Sequence, residues 1–403
     1  MNLWLRVFLP FAAGYFFSYF LRNVNAVIAP ELIHELGVSA SSLGLLTSAY
    51  LMAFAAAQLP LGIALDRWGA RRVEAALLLI AAIGCAIFAL GETLLQLTVG
   101  RALIGLGVSA CLMASFKAFS QWFGIERQAS LNAAIMAAGG LGALSASTPL
   151  SWAVPLLGWR LVFGVLAGAG LIAAAAIWST PEKATEQARE PLGVQIGALI
   201  GVLKSRSFWR YAPQSALLIG GFMAFQGLWA VPWLMNFGGL DRAMAAQHLL
   251  YMSVGQLAGF VGIAVGIGAL SRRGLTPQRL LPIGMGLGLG ATLLIVLGIG
   301  PSQLLWGILG LVFSTANLGY ALLQRDYSGE LAGRVNTALN LMVFIGAFAI
   351  QWGFGTLVDG LQASGMTSRT SFQASFAVLL VLQFIAWLWY MRAPEKSAPE
   401  ARA

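Results

Sequence analysis

The sequence predicts an all-α membrane protein with twelve transmembrane helices in two pseudo-symmetric six-helix bundles. Composition is the first reason. Of 403 residues, 59% are hydrophobic and 10% charged, where soluble chains hold about 25% charge, and the mean hydropathy is +0.79. The second is segmentation: apolar runs near the ~20 residues needed to span a bilayer recur with short polar links between them. The third is charge placement. With the N-terminus inside, the cytoplasmic segments hold eighteen Lys/Arg and the opposite side three, Arg160, Arg242 and Arg369. By the positive-inside rule both termini are cytoplasmic. The same asymmetry accounts for the net charge of +9, so nucleic-acid binding is not expected.

The runs fall at roughly 7–29, 42–65, 73–91, 95–122, 130–153 and 160–178, then 210–235, 247–270, 280–299, 302–324, 335–357 and 371–391. The longest polar stretch, Ser179 to Arg210, separates the sets. Pro181 to Pro191 reads as a flexible linker, and Leu192 to Lys204 as a short interfacial helix. The expected organisation is an N-terminal bundle over 1–180, a linker over 181–209 and a C-terminal bundle over 210–403. The halves look related at an offset of 204 residues. Glu126, Asn132 and Gly142 recur as Glu330, Asn336 and Gly346, and Asp66-Arg-Trp-Gly69 recurs weakly as Ser271-Arg-Arg-Gly274.

Cys85 and Cys111 both lie in apolar runs, so neither a disulfide framework nor a metal cluster is expected. The first apolar run lacks a small-residue cleavage site and is long enough to span. The chain contains no N-x-S/T sequon. The missing sequon favours a bacterial inner membrane.

The second and third runs are joined by Pro60-Leu-Gly-Ile-Ala-Leu-Asp-Arg-Trp-Gly-Ala-Arg-Arg72. So short a charged link forces an antiparallel pair with its turn at the water boundary. Gly62 and Gly69 permit close approach and reversal, and Asp66 is placed to accept from Arg67, Arg71 or a neighbouring helix end. The pattern of Gly62, Asp66, Arg67, Gly69, Arg71 and Arg72 resembles the loop between the second and third helices of major facilitator superfamily transporters. Gly100-Arg101-Ala-Leu-Ile-Gly105-Leu-Gly107 and Gly158-Trp159-Arg160 carry the same resemblance, which covers essentially the whole chain. It implies alternating access around a midplane cavity, with the Asp66–Arg72 loop as a cytoplasmic latch. Arg101 is implied in conformational coupling and local structure.

A charge inside a span is costly unless it faces a cavity or a partner. Arg22 is the most central cation, and Tyr15, Ser18, Tyr19, Arg22 and Asn25 share one helical face. A guanidinium grips a carboxylate or phosphate with two parallel hydrogen bonds. This segment resembles the first helix of organophosphate:phosphate antiporters and organic anion:cation symporters, where the equivalent arginine binds the anionic group. Lys117, five residues before Trp122, resembles a basic residue of the same branches, and snorkelling to the interface is its plainer explanation.

The offset places Gln226 opposite Arg22, where the organophosphate branch carries a second arginine. Gln226 and Trp229 therefore suit an organic body rather than a second anionic charge. Asn317 and Asn340 lie on polar stripes of the tenth and eleventh spans, where interhelical hydrogen bonding is the alternative to substrate contact. The expected substrate-binding set is Arg22, Lys117, Tyr15, Tyr19, Gln226, Trp229, Asn317 and Asn340. The expected partners are a small organic anion, most simply a carboxylate, and the bilayer, around a monomer without cofactor or metal.

No catalytic triad, phosphate loop or nucleotide fingerprint is present, which argues against an enzyme. No Asp or Glu is expected deep in any span, and Leu21 and Gly124 stand where related symporters carry acids. Exchange of anions is therefore favoured over proton symport. Efflux of an amphipathic drug and a transporter-like membrane sensor are the rival readings.

Overall fold

The computed structural model describes residues 3–181, 192–327 and 332–392, apart from some side chains within them. α1 (Trp4–Leu36) opens the chain. One helical path, Ala40–Leu90, follows and is broken at Gly69. Its first arm is α2 (Ala40–Gln58) and its return arm α3 (Arg67–Leu90). Then come α4 (Leu94–Trp122), α5 (Ile125–Ser145) and α6 (Thr148–Trp178). The helix expected in the link is α7 (Leu192–Lys204). The rest is α8 (Arg206–Asn236), α9 (Arg242–Arg272), α10 (Pro277–Leu297), α11 (Ser302–Gln324), α12 (Ala332–Ala363) and α13 (Ser368–Arg392).

Among the described residues, eleven of these helices are long and apolar enough to cross a membrane. The fifth expected span corresponds to α5 together with the first turns of α6. α5 pauses at Ala146 and Ser147, α6 begins at Thr148, and Gly158 (φ 74°, ψ 149°) breaks α6 before Trp159. Both breaks of the left-handed kind, at Gly69 (φ 81°, ψ 163°) and Gly158, fall where a Cβ would be strained.

That the path turns back at Gly69 follows from α4. Gly105 of α4 sits on the Tyr50 backbone and Gly107 on the Ala81 backbone, each leaving no room for a Cβ. On one straight helix Tyr50 and Ala81 would be ~46 Å apart, yet they meet residues of α4 only ~3 Å apart along its axis. The expected antiparallel pair is there.

The chain packs as two compact units. The first holds Met1–Arg189, Phe225–Leu250 and Gln351–Ser368. In it α1 rests on α5 through Gly142, which sits on the Phe16 backbone, and α3 rests on α4 through Gly84 and Gly100. Polar links close one end of it. Glu31 pairs with Arg242, and Glu35 accepts from Arg160 and, at 2.6 Å, from the Trp159 indole. Asp359 accepts from the backbone N–H groups of Ala40 (3.0 Å) and Ser41 (2.8 Å), capping α2.

The second unit holds Glu190–Ala224, Tyr251–Ile350 and Arg369–Ala403. There Gly346 sits on the Ala216 backbone and Gly310 on the Met252 backbone. These contacts repeat those of Gly142 on Phe16 and Gly105 on Tyr50. The small residues serve the same purpose in both units: they let helix backbones approach where no side chain fits. Of the internal repeat, Asn336 and Gly346 are described, whereas Glu330 and the Glu126 side chain lie outside the described residues.

Candidate functional site

The site is built outward from α1. Gly139 of α5 makes room for two tyrosines: a Cβ there would lie 2.6 Å from Tyr15 Cε1 and 3.0 Å from Tyr19 Cδ2. Tyr15 is buried and Tyr19 half-buried, ring centroids 5.0 Å apart, edge to face. Arg22, one turn on, sets its Cζ 4.5 Å from the Tyr19 ring centroid and 5.3 Å from that of Phe54 on α2. Each such contact contributes ~0.5–2 kcal/mol to holding a cation. Phe54 in turn stacks on Tyr50, at 6.2 Å, and the phenols of Tyr50, Tyr19 and Tyr15 all face the Arg22 guanidinium. The expected face of Tyr15, Tyr19 and Arg22 is therefore assembled. Tyr50 and Phe54 are additions that a single apolar run did not announce.

Arg101 lies just behind. It is 1% exposed, its Nη1 donates to the Leu21 carbonyl at 2.9 Å, and its Cζ is 4.9 Å from the Tyr50 ring centroid. It ties α4 to α1 one residue before Arg22, which fits the structural side of its expected role.

The α8 backbone approaches the same place. Over Phe225–Trp229 α8 forms a π-turn, a distortion often met at functional sites, and a Cβ on Gly227 would lie 3.4 Å from the Arg22 carbonyl. Gln226 stands in this turn, buried. Trp229 does not line an open wall as the sequence suggests. It is fully buried, donates its indole N–H to the Gln351 carbonyl at 2.8 Å and leans on Phe354.

Lys117 is not gathered with Arg22. Phe119 stacks on Phe8 at 5.4 Å, which sets this end of α4 level with the start of α1. Arg22 lies fourteen residues beyond Phe8, ~21 Å along the axis. Lys117 is half-buried, on the part of α4 level with the start of α1.

In the second unit Tyr320 donates its hydroxyl to Asn340 Oδ1 at 3.2 Å, and the Asn317 amide reaches back to the Phe313 carbonyl at 3.5 Å. Both asparagines make the interhelical or local bonds that the plainer reading assigns them. Phe313 stacks on Phe222, centroids 3.7 Å apart.

Of the loop residues, Gly69 makes the break described above. Arg71 donates to the Trp178 and Thr180 carbonyls at 3.5 and 3.4 Å, with its Cζ over the Trp178 ring, and so ties α3 to the end of α6. Arg67 lies over Trp68 and Arg72 is exposed. Gly62 makes no close approach, since an added Cβ would meet nothing within 4 Å. The Asp66 side chain lies outside the described residues.

One expectation is overturned. Glu74, on α3, is completely buried, and among the described residues the one titratable group against its carboxyl is the buried Cys111 thiol. α3 begins at Arg67, before the apolar run does, and this carries Glu74 more than a turn into the helix.

A helical, polytopic membrane protein with a half-buried arginine on its first helix and paired glycine-mediated helix contacts is the build of a secondary transporter. The chain belongs to the Major Facilitator Superfamily, whose family model matches residues 11–351. It is 25% identical to a probable galactarate/D-glucarate transporter of Bacillus subtilis, over 95% of this chain and 91% of that one. It is 27% identical to a probable sulfoacetate transporter of Cupriavidus necator, over 64% of this chain and 63% of that one. With a chloramphenicol resistance protein of Pseudomonas aeruginosa it shares 32% identity, over 49% of this chain and 46% of that one. In the sulfoacetate and chloramphenicol cases the match spans less than two thirds of the relative's length. Among solved structures, a bacterial homolog of the human lysosomal transporter Spinster superposes with a TM-score of 0.76 at 17% identity, covering 96% of both chains.

Proposed function

We propose that the chain carries a small organic anion, a carboxylate or a sulfonate, across a bacterial inner membrane by alternating access, both termini lying in the cytoplasm. One observation carries the reading. Arg22 is held inside the first unit against the faces of Tyr19 and Phe54 rather than at a lipid or water surface. Rings set at its faces and the Tyr50 hydroxyl against it fix the plane of the guanidinium, and a guanidinium held in a plane suits a planar oxyanion. The relative matched along nearly its whole length is named for dicarboxylate sugar acids and another for a sulfonated carboxylate, and both chemistries suit a guanidinium. Tyr15, Tyr19 and Gln226 are proposed to complete the binding wall.

The test is flux into liposomes holding purified protein, with D-glucarate and sulfoacetate as probes. Saturable uptake of at least one, abolished in Arg22→Ala, is the expected result. Uptake indifferent to Arg22, or binding without uptake, overturns the proposal, and the second outcome points to a sensor. The drug-efflux reading rests on the chloramphenicol relative. It predicts that expression protects cells from chloramphenicol whether or not Arg22 is present.

A further inference from the structure

Glu74 has no place in the binding wall, and its surroundings are those of a proton-carrying group. It is 0% exposed. Gly14 of α1 faces it closely: a Cβ there would stand 2.5 Å from Oε1 and 3.7 Å from Cδ, so the carboxyl end would have to shift to admit one. From α4, the buried Cys111 thiol lies against it, and among the described residues this is the one titratable group that acts on it. Cys111 in turn feels Arg22, and Tyr15 feels Cys111. On its own helix Arg71 is committed to the end of α6 and Arg72 is exposed. No cation among the described residues therefore bonds the carboxyl.

An ionised carboxylate in such a place would cost several kcal/mol or more, and the group takes up a proton instead. Every conformation that admits water to the seam of α1, α3 and α4 lowers that cost and lets the O–H bond break, the proton passing to water. A group that holds its proton in one conformation and releases it in another ties the two equilibria together, reciprocally.

We infer that Glu74, seated between Gly14 and Cys111, is a proton-binding site that couples the conformational cycle to pH. The eight residues from Gly14 to Arg22 put it ~12 Å along α1 from the anion group. Proton and anion thus occupy separate levels along α1, and a bound proton offsets one negative charge of the cargo. What is carried rests on the preceding proposal, whereas the proton site does not.

The experiment has two arms. In the first, protein in lipid without any anion is titrated between acid and alkaline pH, and difference infrared spectra follow the C=O stretch of protonated carboxyls. Wild type should lose such a band as pH rises, and Glu74→Gln should lack the change. In the second, Glu74→Gln in liposomes should keep exchange of D-glucarate or sulfoacetate at zero pH gradient and lose accumulation driven by a gradient. An infrared change that survives in Glu74→Gln, or gradient-driven accumulation equal to wild type, overturns the inference. If wild type moves neither probe, the anion proposal has failed and the infrared arm still decides on Glu74. Gly14→Ala is the second variant. It intrudes on the carboxyl without touching its charge, and the pH at which the band disappears should shift.

Discussion

Arg22 and Arg101 are the same residue, held within a few ångströms of consecutive positions on α1, and they do opposite things. Arg101 is sealed off, with its Nη1 on the Leu21 carbonyl and its guanidinium over the Tyr50 ring. Arg22 is half-buried, with two rings at its faces. Between them stands one stacked pair, Tyr50 on Phe54, with the Tyr50 ring under Arg101, its hydroxyl facing Arg22, and Phe54 under Arg22. Arg101 is thus anchored on a backbone carbonyl of another helix, whereas Arg22 is set among rings and phenols. The sequence already assigns them different roles, and the structure adds the backbone anchor on Arg101 and the aromatic surroundings of Arg22.

The largest effect expected from this contrast is on stability. Arg101→Ala should cost ~3 kcal/mol or more, since a large buried side chain is lost and the helix contact with it. Arg22→Ala should leave the melting temperature nearly unchanged. Thermal melts of both in one detergent decide it, and equal losses would break the distinction. Next is affinity. Arg22→Lys should weaken anion binding at least ~10-fold, because an ammonium lacks the paired donors, whereas folding and melting should hold. Isothermal titration with D-glucarate measures this. The smallest effect tests the wedge. Tyr50→Phe keeps the stack and removes a buried hydroxyl that faces Arg22, so affinity should fall by ~0.5–1.5 kcal/mol with little change in melting. A fall in stability instead would assign Tyr50 wholly to Arg101.

Much of this was written in the chain. Periodic apolar runs and the basic bias located the helices, the short link at Gly69 required the reversal, and the face of Tyr15, Tyr19 and Arg22 came directly from helical spacing. What stayed hidden depends on contacts between distant segments. Glu74 reads as the polar fringe of Arg71 and Arg72, and it is deep only because α3 starts early and Gly14 and Cys111 close around it. Trp229 reads as a cavity aromatic until its indole is seen on the Gln351 carbonyl, 122 residues away. Lys117 shares a resemblance with Arg22 but not a level in the membrane.

The cap on α2 has a consequence for how the chain is made. Ser39 accepts from the Ser42 N–H and so starts the helix from within. The Ala40 and Ser41 N–H groups are instead satisfied by Asp359, 319 and 318 residues downstream. During synthesis, that first turn emerges long before its acceptor exists. The nascent protein must keep the outer tip of α2 hydrated, or borrowed by an insertion factor, until α12 is delivered. Completion of the second helix therefore records that nearly the whole chain has been threaded.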